Sequence, residues 1–225
     1  MFVNVTETTY TFENLTAGEY CFEVSAVNEN GESDTAEDCA TIEETEDEFS
    51  IGAMATLRDL EKHISLNAFT DNAISDAVKD IVGVQFRNMA TVGGSIWGRF
   101  GFSDVLTVFL ALDCYVELYK GGIVPLEEFA SMKADNDILV RLIVKKASGK
   151  VVYTAMRNQS TDFPILTCAV SNMNGVYKAA IGARPSKASV YYDIENRLAS
   201  SVTVDAVKLF AEDVLKIADT QSNVR

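Results

Sequence analysis

The sequence predicts an α+β protein, because two kinds of hydrophobic periodicity occur in separate segments. Apolar residues recur every three or four positions over residues 73–81 and 202–215, which indicates amphipathic helices. Short apolar segments bounded by turn residues indicate strands over residues 138–144, 150–156, 166–171 and 177–181. Antiparallel strand pairs combined with helices define the α+β class.

Turn and capping residues place these elements in order. A strand over residues 51–56 leads to Thr56, a predicted N-cap for a helix over residues 57–63. A turn at residues 148–149 is predicted to join the first two of the four strands, and residues 172–175 the last two. Thr203 is the predicted N-cap of the last helix.

The acidic residues are distributed unevenly along the chain. The 225 residues include 33 Asp and Glu against 19 Lys and Arg, a formal net charge of −14. Residues 1–50 contain 14 of the acidic residues and no Lys or Arg, whereas the remaining residues contain equal numbers of each sign. This asymmetry predicts two segments of different origin, with the acidic run at residues 43–50 as a solvated linker.

Composition argues against several classes of function. With no basic excess, nucleic acid is not an expected partner. No run of about 18 apolar residues is present, so no membrane span is expected. The first residues lack the basic and apolar regions of a secretory signal, which favours a cytoplasmic protein.

Cysteine and histidine spacing argues against a metal site and a hydrolytic triad. No two of the four cysteines form a C-x-x-C pair, and the single histidine, His63, lies far from them and is expected to be exposed or to cap a helix. Cys114 and Cys168 lie in apolar segments and are predicted to be core residues. Cys21 and Cys39 lie on predicted strands. They could form a cross-strand disulfide or be two free thiols, and the sequence does not decide between these alternatives.

Residues 1–42 show the alternation of antiparallel β-structure. The strings LTAGEY (15–20), VSAVN (24–28) and GES (31–33) resemble the last three strands of a fibronectin type III domain, with Leu15 and Tyr20 at its tyrosine corner. The match covers about 40 residues, less than half of a full module of roughly 100 residues. We therefore expect a partial β-sandwich segment here.

A glycine pair lies in the most informative stretch of the chain. Gly93 and Gly94 stand between Thr91 and Ser95, a composition that suits a loop whose backbone N–H groups face an anion. The spacing matches neither G-x-G-x-x-G nor a Walker loop, so a Gly-Gly turn between strands is the alternative.

The longer string around this pair resembles the FAD-binding subunit of molybdenum hydroxylases, the xanthine dehydrogenase and carbon monoxide dehydrogenase family. The resemblance runs from about residue 51 to about residue 215. The strings that carry it are IGAMATL (51–57), RNMATVGGSI (87–96), GFSDVL (101–106), VFLALD (108–113), MRN (156–158), TDFPIL (161–166) and AIGARP (180–185).

The resemblance implies FAD as the cofactor and a first group of contacts around the glycine pair. Thr91, Gly93, Gly94 and Ser95 would lie along the pyrophosphate and ribityl chain of FAD. The family usually has Asn where this chain has Ser95. It also begins with an upstream Gly-Gly loop that supplies much of the pyrophosphate site, whereas residues 1–50 contain no Gly-Gly pair. The resemblance therefore implies an FAD-binding domain that is incomplete at its N-terminus.

Five further residues are implied to contact the cofactor. Asp104, with Ser103 beside it, would accept hydrogen bonds from FAD hydroxyls, a task that suits a carboxylate. Ile81 and Leu139 would pack on opposite sides of the cofactor, and Arg157 would lie near the isoalloxazine, where positive charge favours reduced flavin. The alternatives are that Ile81 and Leu139 are core residues, that Asp104 is the N-cap of a helix over residues 105–111, and that Arg157 forms a surface ion pair.

These implications define the expected organisation and function. A β segment over residues 1–42 and a linker over 43–50 would precede two flavoprotein subdomains, 51–120 and 121–225. The chain would pass electrons from [2Fe–2S] clusters on a partner subunit to NAD or another acceptor, with a molybdenum-cofactor subunit hydroxylating the substrate. It would itself supply no catalytic residue and no metal ligand. The alternatives are a non-enzymatic remnant that binds no FAD, and a β-sandwich interaction module.

Overall fold

The structure, a computed structural model, describes residues 21–25, 27–29, 31–32, 36–39, 42–133, 136–183 and 187–218. The chain divides into two compact units, Met1–Cys39 and Ala40–Arg225. None of the helices in these described ranges is long and apolar enough to cross a membrane.

In the first unit, the described residues form antiparallel strand pairs. Strand β1 (Cys21–Val24) pairs with β4 (Ala36–Cys39), and β2 (Val27–Asn28) pairs with β3 (Gly31–Glu32) around the predicted turn. The backbone of Cys21 lies opposite that of Cys39. The predicted tyrosine corner lies outside the described residues. The fibronectin-like interpretation and the disulfide therefore stay predictions.

The second unit begins with a five-stranded antiparallel sheet. Its strands, in spatial order, are β5 (Ile42–Glu44), β6 (Glu48–Gly52), β9 (Leu139–Lys145), β7 (Cys114–Leu118) and β8 (Gly122–Pro125). The side chains of Phe49 and Ile51, which belong to β6, are fully buried. The sheet thus joins strands from residues 42–52 to strands from residues 114–145.

The prediction of a solvated linker over residues 43–50 is wrong, because this segment is a β-hairpin. Strands β5 and β6 pair directly, and Thr45 closes the turn by accepting hydrogen bonds from the backbone N–H groups of Asp47 and Glu48. The acidic residues point outward, where Glu44 pairs with Lys146 at 2.6 Å and Glu48 with Lys145. The charge run is therefore the solvent side of a strand pair, and two of its carboxylates pair with lysines that are distant in sequence.

Eight helices occur in the described part of the second unit, and seven of them precede β9. They are α1 (Leu57–Lys62), α2 (Ile64–Phe69), α3 (Ala73–Val78), α4 (Val84–Arg87), α5 (Val92–Trp97), α6 (Asp104–Leu110), α7 (Leu126–Ser131) and α8 (Val204–Ile217). Thr56 and Thr203 cap α1 and α8 as predicted. His63 accepts a hydrogen bond from the backbone N–H of Leu66 at 3.2 Å, which confirms its capping role, at the start of α2.

A four-stranded antiparallel meander follows in sequence. It consists of β10 (Gly149–Met156), β11 (Leu166–Met173), β12 (Val176–Gly182) and β13 (Ser189–Tyr192). The predicted pairing of the last two apolar strands is confirmed by β11 and β12. The turn at residues 148–149 instead joins strands of two different sheets, because β9 pairs with β6 and β7 while β10 pairs with β11. The predicted boundary at residue 120 accordingly falls within the five-stranded sheet, and the change of sheet comes between β9 and β10.

Helix α6 packs between the four-stranded sheet and two helices, α5 and α7, that contact the five-stranded sheet. Every residue from Asp104 to Leu110 is buried, and the helix contacts β11, β12 and β13 as well as α3, α5 and α7. One core cluster runs from Phe49 in the first sheet to Ala180 in the second. A smaller cluster packs Phe210 and Val214 of α8 against Ala179 and Tyr191. Cys114 is buried in the core, as predicted, and Cys168 is half-buried; both are free thiols.

The packing of α6 against β12 depends on Gly182. A Cβ atom there would lie 2.5 Å from the backbone oxygen of Gly101 and 2.5 Å from the hydroxyl oxygens of Thr107 and Thr167. These two hydroxyls are hydrogen-bonded to each other at 2.9 Å, so none of the three neighbours moves easily.

We predict that Gly182→Ala lowers the free energy of unfolding by about 1–3 kcal/mol, because overpacking displaces the helix or the strand. Chemical denaturation measures the change. Gly83→Ala is the matched control, since its Cβ would meet only the flexible end of Gln85 at 3.2 Å. Equal stabilities for the two variants would contradict the tight fit at Gly182.

Candidate functional site

A cavity of about 370 Å³ lies between the α5–α6 region and the segment that follows β10. Residues from five separate parts of the chain line it, including most of those that the sequence singled out. The predicted site residues in its lining are Ile81, Thr91, Gly94, Ser95, Ser103, Asp104 and Arg157. The fold therefore brings together predicted site residues that lie up to 76 positions apart in the sequence, from Ile81 to Arg157.

Gly93 and Leu139 are not in the cavity lining. Leu139 is buried at the start of β9, in the core of the first sheet. Gly93 is buried against residue 53, where a Cβ would lie 2.8 Å from both the Cβ and the backbone oxygen of Ala53. Glycine is required at position 93 because helix and backbone approach closely, which is a packing reason.

The glycine pair is neither an open loop nor a turn between strands, because it forms the first turn of α5. Thr91 is the N-cap, and its hydroxyl accepts a hydrogen bond from the N–H of Gly94 at 3.1 Å. The N–H groups of Val92 and Gly93 donate to the carbonyls of Ala55 and Ala53 at 2.8 and 2.7 Å. The expected anion-facing amides are therefore already bonded within the protein.

The hydroxyl groups near the cavity also have partners. Ser103 is the N-cap of α6, which corrects the alternative that Asp104 caps it: its hydroxyl accepts from the N–H of Leu106 and donates to the carbonyl of Ser95, both at 3.1 Å. Ser95 in turn donates to the carbonyl of Thr91 at 3.0 Å. These bonds tie the first turns of α5 and α6 together and fix one wall of the cavity.

Asp104 and Arg157 form a buried ion pair at the cavity wall. Their side chains are 6% and 9% exposed, so the alternative of a surface ion pair for Arg157 is wrong. One carboxylate oxygen of Asp104 accepts hydrogen bonds from both the Arg157 guanidinium and the Tyr153 hydroxyl. Arg157 also donates to the carbonyl of Asp162 at 2.7 Å, which holds the segment after β10 against the cavity.

Burial dominates the electrostatics of this cluster. It raises the pKa of Asp104 above that of an exposed aspartate, while Tyr153 and Arg157 offset part of the shift. Burial, and then the neighbouring carboxylate, also raise the pKa of Tyr153, so its hydroxyl stays a donor. A carboxylate accepts about four hydrogen bonds, so Asp104 keeps acceptor capacity for a ligand.

A second buried ion pair positions Ile81. Arg87 donates from Nε to Glu61 at 2.8 Å and from a terminal nitrogen to the carbonyl of Ile81 at 3.2 Å. Burial alone would raise the pKa of Glu61, but hydrogen bonds from Arg87 and Arg58 lower it below its usual value. The next residue, Val82, also lines the cavity and has φ +51°, a strained conformation for a β-branched side chain.

Sequence reasoning missed several lining residues. Tyr153 does not line the cavity but bonds to Asp104, and it could have been found, because it lies four positions before Arg157 and therefore on the same face of an extended segment. Phe100, Phe102 and Phe163 line the cavity. Phe102 and Phe163 lie within the strings GFSDVL and TDFPIL that carry the family resemblance, but neither was singled out as a site residue. Their convergence depends on the meeting of two loops, which local periodicity does not encode.

Comparisons with known proteins agree with this fold. Residues 34–147 match the family described as "FAD binding domain in molybdopterin dehydrogenase". The uncharacterized protein YgfM of Escherichia coli K12 is 26% identical over 149 residues, which cover 65% of this chain and 55% of that protein. The same figures hold for YgfM of Escherichia coli O157:H7. The chain thus spans about half the length of the curated relatives it matches.

Solved structures of low sequence identity share the fold. Carbon monoxide dehydrogenase from Hydrogenophaga pseudoflava, in a form lacking the Mo-pyranopterin moiety of its molybdenum cofactor, matches with TM-score 0.72 and 22% identity, over 82% of this chain and 69% of that chain. Reconstituted CO dehydrogenase from Oligotropha carboxidovorans matches with TM-score 0.70 and 18% identity, over 82% and 70%. Quinoline 2-oxidoreductase from Pseudomonas putida 86 matches with TM-score 0.69 and 15% identity, over 82% and 69%.

Fold and site together define a flavoprotein domain of the α+β class. The matched family model covers half of the sequence, and the chain belongs to the FAD-binding domain family of molybdopterin dehydrogenases. The cofactor of this family is FAD.

The two neighbouring glycines give a first test of the site geometry. We predict that Gly93→Ala lowers the free energy of unfolding by about 1–3 kcal/mol, because its Cβ meets backbone. Gly94→Ala is the matched control and should change stability by less than about 1 kcal/mol, since its Cβ meets only the Thr91 hydroxyl at 3.1 Å. Thermal unfolding compares them, and a larger loss at Gly94 would refute the assignment of Gly93 to packing.

The buried ion pair gives a second test. We predict that Arg157→Met costs about 3–5 kcal/mol of unfolding free energy, because it leaves a buried carboxylate without its cation. The double variant Asp104→Asn with Arg157→Met should lose less, because no uncompensated charge remains. Urea denaturation measures both, with Lys79→Met, from the exposed Asp76–Lys79 pair, as a control that loses less than about 1 kcal/mol. If the double variant loses as much stability as Arg157→Met alone, or more, the pair is not desolvated as described.

Proposed function

We propose that this chain is the FAD-binding electron-transfer subunit of a molybdenum hydroxylase related to xanthine dehydrogenase. The observation that carries the proposal is the convergence of predicted cofactor residues in one cavity around Asp104 and Arg157. FAD, when bound, supplies the capacity to accept and release electrons one or two at a time. The protein's own residues bind and orient it.

The residues in the cavity fit the flavin end of FAD. Apolar walls from Ile81 and Phe86 suit a planar ring, and Asp104 has acceptor capacity for hydroxyl groups. Arg157 places positive charge at the cavity wall, which would favour a reduced, anionic flavin. In this proposal Ile81, Thr91, Gly94, Ser95, Ser103, Asp104 and Arg157 surround the cofactor, while Gly93 and Leu139 act through packing.

The partners proposed are a molybdenum-cofactor subunit and a [2Fe–2S] subunit. Electrons would arrive from the clusters of the latter and leave to NAD or another acceptor. The family resemblance supports this division, as does the molybdenum cofactor of the structurally similar carbon monoxide dehydrogenase. Hydroxylation of a purine or similar substrate would then take place on the partner, in the cytoplasm.

One observation favours a second candidate, a member of the family that keeps the fold but retains no FAD. The first-turn amides of α5 donate to Ala53, Ala55 and Thr91 and so are not free for a pyrophosphate. Residues 1–50 also contain no second Gly-Gly loop. The two candidates differ in flavin retention.

Reconstitution with FAD tests the proposal. The purified chain is mixed with excess FAD and desalted, and its visible absorption is recorded. We expect a retained flavin spectrum, and we expect Asp104→Asn to weaken FAD binding by about tenfold or more, because a charged acceptor for the cofactor hydroxyls is lost. Asp205→Asn, at an exposed position in the first turn of α8, is the control and should bind FAD normally. A colourless wild-type protein would support the remnant instead.

A further inference from the structure

We propose that Tyr153 is a positioning residue for the cofactor site, which keeps the Asp104 carboxylate ionised and turned so that one of its oxygens faces the cavity. The inference rests on the proposed function, in which Asp104 accepts hydrogen bonds from the hydroxyl groups of FAD. It adds a residue that does not touch the cofactor and that acts on cofactor binding through Asp104.

Both side-chain donors to Asp104 bond to the same carboxylate oxygen. The Tyr153 hydroxyl and the Arg157 guanidinium donate to Oδ1. Within the described ranges of the chain, no donor from another residue bonds to Oδ2. A carboxylate oxygen accepts about two hydrogen bonds, so the protein fills Oδ1 and leaves Oδ2 for a ligand.

Tyr153 approaches Asp104 from a different side than a ligand in the cavity would. Asp104 lines the cavity of about 370 Å³, whereas Tyr153 lines a separate cleft of about 390 Å³. Arg157 lines both, so the ion pair lies between them. The Tyr153 hydroxyl therefore orients the carboxylate without occupying the cavity. The other charged residues that line the second cleft are Asp76, Lys79 and Asp80.

The fold holds the ring of Tyr153 in place. This side chain is 8% exposed and belongs to the main core cluster. Tyr153 lies on β10, where it pairs with the fully buried Ala169 of β11. Because the ring is packed within the core, the order that its hydroxyl imposes on Asp104 is present before a ligand arrives.

The electrostatics of the cluster link this hydrogen bond to the charge of Asp104. Burial raises the pKa of Asp104, and the hydrogen bond from Tyr153, followed by the charge of Arg157, offsets part of that rise. Near Tyr153 lies the Cys168 thiol, whose pKa is raised by burial, so it is uncharged at neutral pH. Loss of the Tyr153 hydroxyl therefore raises the pKa of Asp104 further, and a protonated Asp104 is a poorer acceptor for cofactor hydroxyls.

The pH dependence of FAD binding tests the inference on the full chain. Dissociation constants are measured from acidic to neutral pH for the wild type, Tyr153→Phe and the control Tyr191→Phe, which removes a hydroxyl from an equally buried tyrosine that packs near α8. We expect affinity to fall on acidification, with a midpoint about 1 to 2 pH units higher in Tyr153→Phe than in the wild type. Tyr191→Phe should keep the wild-type midpoint, and Asp104→Asn should show none.

A second variant separates positioning from packing and does not depend on the folding of Tyr153→Phe. Replacement of Tyr153 by 3-fluorotyrosine, through an expanded genetic code, keeps the ring and the hydroxyl but makes the hydroxyl a stronger donor. The midpoint for FAD should then move to lower pH, opposite to the shift in Tyr153→Phe. Carbon-13 NMR of the Asp104 carboxyl should show shifts of its pKa in the same directions in the chain without FAD.

The opposite results overturn the inference. If the wild type binds FAD, but Tyr153→Phe weakens binding equally at every pH and 3-fluorotyrosine leaves the midpoint unchanged, Tyr153 acts through packing alone and the proposed function stands. If the wild type binds no FAD at any pH, the proposed function fails and this inference fails with it.

Discussion

The structure depends on burying helix α6 without leaving its polar ends unpaired. A helix buried along its whole length has N–H groups at one end and carbonyls at the other that cannot reach water. At the C-terminal end, Ser171 donates to the carbonyl of Ala111, and Lys178 donates to that of Leu112 at 2.8 Å. At the N-terminal end, Ser103 caps the helix, and Asp104 is bonded to Tyr153 and Arg157. Both ends are thus held by the four-stranded sheet or the segment that follows β10.

Because these hydrogen bonds hold the N-terminal end of α6, the candidate site is part of the buried core. The carboxylate that is proposed to contact the cofactor also closes the N-terminal end of α6, where a negative charge is favoured by the helix dipole. The Ser103–Ser95 hydrogen bond then couples that end to α5. Loss of Asp104 would therefore weaken packing and binding together, so the amide variant at this position is a better probe than a truncation to alanine.

The sequence predicted those elements whose signals are local. Thr56 and Thr203 cap helices as expected, and β11 and β12 pair across the predicted turn, because caps and short hairpins depend on neighbouring residues. The acidic hairpin was missed because Lys145 and Lys146, which pair with Glu48 and Glu44, lie about 100 residues away. The glycine pair was misassigned because its partners, Ala53 and Ala55, belong to another segment. Most of the candidate site came from a family resemblance, and the convergence of Phe100, Phe102 and Phe163 at the cavity came from the fold.

The commitment of the α5 amides changes how the glycine pair contributes to the site. In an open anion-binding loop, glycine frees the N–H groups for the ligand, whereas here Gly93 lets α5 dock against the residue 53–55 backbone and uses those groups in the docking. What remains in the cavity lining is a largely apolar surface, with aromatic rings, together with the Asp104 carboxylate paired to Arg157. The N–H groups that could compensate the desolvation of a phosphate are therefore committed to the packing of α5.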